Sequence, residues 1–200
     1  LRTPYQGANP VADIWSREAI RIGAVHLVDA VNDPENTYAR GQMLLASTLA
    51  GIGFGNAGVH LPHALSYPIS RLSRGYFPPD YPSDHSLVPH GMSVVLTAPA
   101  IFRWTADAAP RAHKEAAILL GAPADEVDET NAGDAIAERF TAMMQAIGMP
   151  NGLNGVGITD DDLDALVEGT LPQQRLLVIS PKQPTKEDIR QLFADSMTLW

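Results

Sequence analysis

Six histidines are spread through this 200-residue sequence, and four of them, His60, His63, His85 and His90, fall between positions 60 and 90. The segment GFGNAGVHLPHALSYPIS (53 to 70) places His60, His63 and Tyr67 at i, i+3 and i+7. On a helix all three would project from one face. Two imidazoles on one face are a metal-site geometry, although a helical histidine pair is more often structural than ligating. His90 strengthens the metal reading. It opens a helix directly after a proline-rich loop, in VPHG, so its ring could turn back toward His63 across two antiparallel helices. A divalent cation held by neutral imidazoles would polarise a carbonyl or stabilise an alkoxide. The competing reading keeps His60 hydrogen-bonded in the core, with a substrate contact as its other role. His85, beside Asp84, reads as exposed, with support of a ligand as the alternative. His26 and His113 join no pattern and are assigned to core edge and surface. Arg71 and Arg74 follow the cluster by one to two turns. Each could receive a substrate carboxylate bidentately or simply be solvated.

The elements that would carry these residues read as helical almost throughout. Asn9 before Pro10 starts a helix over 10 to 32, whose apolar residues recur at spacings of three and four, so it is expected to be long and largely buried. Asp33 and Pro34 open a second, ending in the small residues AGIGFG, which let helices approach closely. The histidine segment forms a third from near Asn56. The loop YFPPDYPSDHSLVP (76 to 89) leads to a fourth over 90 to 105. Pro62 and Pro99 fall where the pattern wants helix interior, which predicts two bent helices. Further helices are expected at 109 to 120, 131 to 147, 159 to 169 and 185 to 197. Asn131 is a candidate cap, and Thr159 to Asp162 and Thr185 to Asp188 read as capping boxes. Only QRLLVI (174 to 179) hints at a strand.

Composition narrows the function. The chain is long enough to bury a core, and no apolar run approaches the roughly 18 to 20 residues of a membrane span. A net charge of −9 without a basic cluster argues against nucleic-acid binding. With no cysteine, a metal site must use His, Asp, Glu or backbone oxygen, and the composition suits a cytoplasmic location. There is no internal repeat and no phosphate-binding glycine loop. The amino terminus, LRTPYQGANP, has no initiator Met and no signal pattern, and reads as a start within a longer chain.

GIGFGNAGVHLPHALSYPIS with DHSLVPHGMSVVLTAPAIF resembles the iron-containing (group III) alcohol dehydrogenases, and within them the hydroxyacid-oxoacid transhydrogenase branch. YQGANPVADIW, GTLPQQRLL and LFADSMTLW extend the similarity nearly end to end. The resemblance implies an all-α, helical-bundle, metal-binding domain over 1 to 200, the carboxy-terminal part of a two-domain dehydrogenase whose Rossmann-like amino-terminal domain is absent from this chain. It implies a divalent metal, Fe2+ or Zn2+, and NAD(H) bound mainly by that absent domain. Two of the family's four metal ligands match His63 and His90. The Asp and first His would precede Leu1. Tyr67 stands where the wider family often has a histidine near the nicotinamide. A phenol can donate or relay a proton but does not replace imidazole as a base near neutrality. Arg71 stands where the branch commonly has glycine, and could meet a substrate acid group.

The implied reaction moves hydride between a hydroxy acid such as 4-hydroxybutyrate and an oxo acid such as 2-oxoglutarate. An ordinary NAD-dependent alcohol dehydrogenase domain is the first alternative. A non-catalytic helical module, or one that binds a separate cofactor-binding chain, is the second. A homo-oligomer is expected from the family.

Overall fold

The Asn9 side chain accepts the Ala12 backbone N–H at 3.0 Å, and Pro10 takes the first helical position of α1 (Pro10–Asn32), as the sequence predicts. The computed structural model describes residues 7–79 and 81–200. Tyr5, Gln6 and the residues before them, and Asp80 of the proline-rich loop, lie outside these. The helices after α1 are α2 (Thr37–Ala57), α3 (Leu61–Leu72), α4 (His90–Val95), α5 (Ala98–Thr105), α6 (Pro110–Leu119), α7 (Ala132–Ala146), α8 (Leu163–Thr170), α9 (Gln174–Leu177) and α10 (Lys186–Ala194). Among the described residues there is no strand, so the all-α expectation holds. QRLLVI is not a strand: Gln174–Leu177 forms the single turn of α9, following the Pro172 turn. No single helix among the described residues is long and apolar enough to cross a membrane.

Two compact units divide the chain: residues up to Val59 with Phe102–Gly148, and His60–Ile101 with Met149–Trp200. In the first, α1 and α2 pack closely because Gly53 meets Ser16 and the Ala12 carbonyl, where even a methyl would lie 2.4 Å from the Ser16 hydroxyl. Ala117, Ile136 and Met143 of α6 and α7 form a core against which Ile20, Leu27 and Val28 of α1 pack. The expectation that α1 is largely buried fails. Its buried residues are Ala12, Ala19 and Ile22, while Val11, Ile14, Val25 and Val31 are exposed. Periodicity marks an apolar stripe, but this stripe is wider than the surface available within the unit. The second helix begins at Thr37, not at Pro34, because the Asn36 side chain caps it through the Ala39 N–H.

In the second unit α3 packs on α4, α8 and α9, and α10 packs on α8. Leu61, Ala64, Leu65 and Ile69 are fully buried. The sequence expects this helix to begin near Asn56 and to bend at Pro62. Instead α2 runs on to Ala57, Gly58 turns the chain at a φ of 83°, and Pro62 sits in the first turn of α3, where its missing N–H costs little. The segment expected as one helix over 90 to 105 breaks into α4 and α5 ahead of Pro99. Both aspartate capping boxes form: the Asp162 and Asp188 carboxylates accept the backbone N–H groups of Thr159 and Thr185 at 3.0 and 2.8 Å. Asn131 does not cap α7. Its side chain turns back into the preceding loop, accepting from the Asp128 N–H and donating to the Glu126 carbonyl.

The end of α3 is fixed by Arg74, whose N–H reaches the Val156 carbonyl at 3.1 Å and whose guanidinium pairs with buried Asp162. Arg74 is thus committed to structure rather than open to a substrate. The Thr159 N–H, and then Arg74, hold the Asp162 carboxyl below the usual carboxylate range against the opposing effect of burial. Gly157 makes this junction possible: its φ is +77°, and an added methyl carbon would lie 2.0 Å from the Arg74 carbonyl oxygen. Gly75 has a similar φ of +68° in open space. Gly75→Ala should therefore cost about 1 kcal/mol, the left-handed backbone penalty alone, whereas Gly157→Ala should cost about 2 to 4 kcal/mol. Urea unfolding of both variants checks this, and equal losses would show that the Arg74 carbonyl does not set the constraint.

Candidate metal centre

His63 lies in the first turn of α3 and His90 opens α4, with Pro89 at the cap. Their positions are fixed from behind: the Ser66 and Ser93 hydroxyls donate to the His63 and His90 carbonyls, each at 2.8 Å. The intervening loop returns the chain to α3 through a Leu87 N–H bond to the Tyr76 carbonyl at 3.0 Å and a Tyr76 N–H bond to the Ser86 hydroxyl at 3.2 Å. The result is a His63–His90 ring pair with centroids 5.4 Å apart and planes at 62°.

Two imidazoles on one ion, with a metal–nitrogen distance near 2.0–2.1 Å and a tetrahedral angle between them, would have ring centres about 5 Å apart. The observed pair fits that requirement. Burial, and beyond it the neighbouring His90, lower the His63 pKa from its ordinary 6.5, which favours the neutral, ligating form. Among the described residues no group of three or more potential ligands gathers anywhere, so this pair would need ligands from beyond them to complete a site.

The other sequence-predicted residues divide. His60 does not share a helical face with His63 and Tyr67, because it is the residue before α3, with φ −121° and ψ −137°. It is half-buried at the helix entrance. Tyr67 and Arg71 do continue the face begun by His63, at steps of four, and both are exposed. They line a cleft of about 610 Å³ with Pro68, Glu168, Gly169 and Gln173. His85 is exposed and bonded to Asp84 at 2.7 Å, as expected. His26 lies at the edge of the first unit against Tyr38. His113 is buried, not superficial: its ring bonds to the Thr105 hydroxyl at 2.9 Å and the Ala109 carbonyl at 2.8 Å. Its partners lie eight and four residues back, before α6 begins, and leave no periodic signature. The sequence also gave no weight to Arg175, whose guanidinium donates to the Tyr67 hydroxyl at 2.9 Å. The two are 108 positions apart, and no local pattern joins them.

The lowered His63 pKa has a sign that can be checked. The folded state disfavours the imidazolium, so this contribution to stability is full above pH 6.5 and declines as pH falls below it. In the metal-free chain, proton NMR should show His63 titrating below 6.5, and His90→Ala should raise its midpoint. An unchanged midpoint in that variant would mean the two rings do not sense each other.

Comparison with known proteins places this geometry in a group. Residues 5–197 match the model of the Fe-containing alcohol dehydrogenase family, C-terminal. The chain is 47% identical over 199 residues to the mitochondrial hydroxyacid-oxoacid transhydrogenase of Homo sapiens, covering all of this chain and 43% of that protein. It superposes on a 1,3-propanediol oxidoreductase with a TM-score of 0.82 at 27% identity, over 94% of this chain and 46% of the other. A sulfoacetaldehyde reductase from Bifidobacterium kashiwanohense, solved in complex with NAD+, gives a TM-score of 0.76 at 25% identity, over 95% and 44%. The chain thus spans less than half the length of these relatives. The all-helical fold and the family match over residues 5–197 lead to one conclusion: this chain belongs to the Fe-containing alcohol dehydrogenase family and corresponds to its C-terminal family model.

Proposed function

We propose that residues 1–200 form the metal-holding, carboxy-terminal domain of an oxidoreductase that transfers hydride between a hydroxy acid, such as 4-hydroxybutyrate, and an oxo acid, such as 2-oxoglutarate, with nicotinamide as carrier. The observation that carries the reading is the His63–His90 pair, with Tyr67 one turn further along α3. His63 and His90 are the two ligands this chain would contribute. A divalent ion, Fe2+ or Zn2+, would supply Lewis-acid polarisation of the alcohol oxygen. Tyr67 is the proton-donating group beside the reacting carbon, held by Arg175 through its phenol oxygen. Arg71 lies one turn beyond Tyr67 and is placed to meet the acid group of the substrate, while His60 stands at the other end of α3, at the helix entrance next to His63, as a further substrate contact. The similarity to the transhydrogenase supports the substrate pair.

The remaining ligands and the nucleotide-binding domain are assigned to the part of the relatives' length that this chain does not span. NAD(H) as carrier is supported by the NAD+ complex of the sulfoacetaldehyde reductase. We place the protein in the cytoplasm on its cysteine-free composition, with mitochondria as the alternative that the human relative's name supplies. The assembly is read as a homo-oligomer. A second reading, an NAD-dependent dehydrogenase of simple alcohols, is favoured by the likeness to a 1,3-propanediol oxidoreductase.

Two outcomes follow for the full-length enzyme carrying this chain. It should oxidise 4-hydroxybutyrate to succinic semialdehyde while reducing 2-oxoglutarate to 2-hydroxyglutarate, without releasing free NADH, and turnover of simple alcohols with free NAD alone would select the second reading. Elemental analysis should find about one metal per chain, lost in both His63→Ala and His90→Ala, while Tyr67→Phe keeps the metal and lowers kcat on the order of 10²-fold.

A further inference from the structure

The cleft beside Tyr67 carries a charge pattern that the sequence does not announce. Arg71 lines it from α3, and Arg175 reaches the Tyr67 hydroxyl from α9. Among the described residues neither arginine forms an ion pair, in a chain whose net charge is −9. The acidic group that lines the cleft, Glu168, is already engaged by Lys186 at 2.5 Å, and Asp164 on the same helix is paired with Arg190. Two guanidinium groups therefore remain without a carboxylate, Arg71 in the lining of a cleft large enough for a small acid and Arg175 bonded to the Tyr67 hydroxyl at its edge. Each guanidinium has a planar fork of five N–H donors, of which the Tyr67 bond uses one on Arg175.

We propose that Arg175, together with Arg71, binds the carboxylate of the acid substrate in the cleft beside Tyr67, and that Arg175 is thereby the residue that selects acids over uncharged alcohols. This rests on the hydroxy-acid reading above and adds to it the group that recognises the acid. The pairing is chemically economical: one guanidinium addresses the phenol oxygen with one N–H and offers the others to a carboxylate, so the acid is held in register with Tyr67. Both arginines are exposed, on α3 and α9 respectively, and neither is needed to fill the core.

The test compares 4-hydroxybutyrate with 1-butanol, which lacks the charge, in the full-length enzyme and in Arg175→Gln, Arg71→Gln, Arg175→Lys and a surface control in the other unit, Arg111→Gln. The two glutamine variants should raise the KM for 4-hydroxybutyrate on the order of tenfold more than that for 1-butanol. Arg175→Lys should recover part of this difference, and Arg111→Gln should show none. Equal changes for both substrates, or no change for the acid, would overturn the proposal. A direct calorimetric titration of the full-length enzyme with 4-hydroxybutyrate separates this inference from the reaction assigned above. Binding that weakens in Arg175→Gln supports the carboxylate site even if the parent fails to use the hydroxy-acid and oxo-acid pair. Binding indifferent to both arginines rejects the site even if that reaction occurs.

Discussion

The second unit depends on how closely α3 can approach α8. Pro68, inside α3, rests directly on Gly169: a side-chain carbon at 169 would lie 2.7 Å from the Pro68 ring. Pro68 lacks the N–H that would continue the helical ladder, so this position is tolerated only where packing compensates for the missing bond. Buried Leu65 and Ile69 on α3, with Leu166 on α8, supply that packing. With one side of α3 seated at this depth, the other is left for His63, Tyr67 and Arg71. The chemistry-bearing stripe is the complement of the buried one.

A second constraint acts at the two ends of the same helix. At its start, Pro62 and the backbone of His60 set the first turn, and at its end Arg74, Asp162 and Gly157 clasp the chain. The loop that follows is pinned by Tyr76 to Leu87 and Ser86, which brings His90 back beside His63. The ring pair is thus the product of several ordinary hydrogen bonds, none of which involves an imidazole. This separation of support from function suits the proposed ligand pair, since the imidazole nitrogens would be left to an ion while backbone and hydroxyl groups bear the positional constraint.

Electrostatics divides the molecule in a similar way. Six of the arginines are paired with named acids: Arg17 with Glu115, Arg21 with Glu18, Arg74 with Asp162, Arg103 with Asp134, Arg111 with Glu129 and Arg190 with Asp164. The exposed pairs among these contribute little stability individually. Their effect is to consume cations over an acidic surface, so that the two arginines outside such pairs at the Tyr67 cleft form a local contrast in charge.

The sequence by itself determined the local structure: the Asn9 cap and Pro10 start of α1, both aspartate capping boxes and the all-helical fold, because each is written in residues within a few positions of one another. It also determined the spacing of His63, Tyr67 and Arg71, since a step of four keeps side chains on one helical face. It misplaced the start of α3, and with it His60, because the AGIGFGNAG run has no strong breaker and only Gly58, at positive φ, stops α2. The sequence offered the turn of His90 back toward His63, but tertiary structure decided it, and decided alone that Arg74 would be taken by Asp162 and that Arg175 would find Tyr67. Those partners are 27, 88 and 108 positions apart. Their meeting is set by packing and loop closure, not by any local preference of the chain.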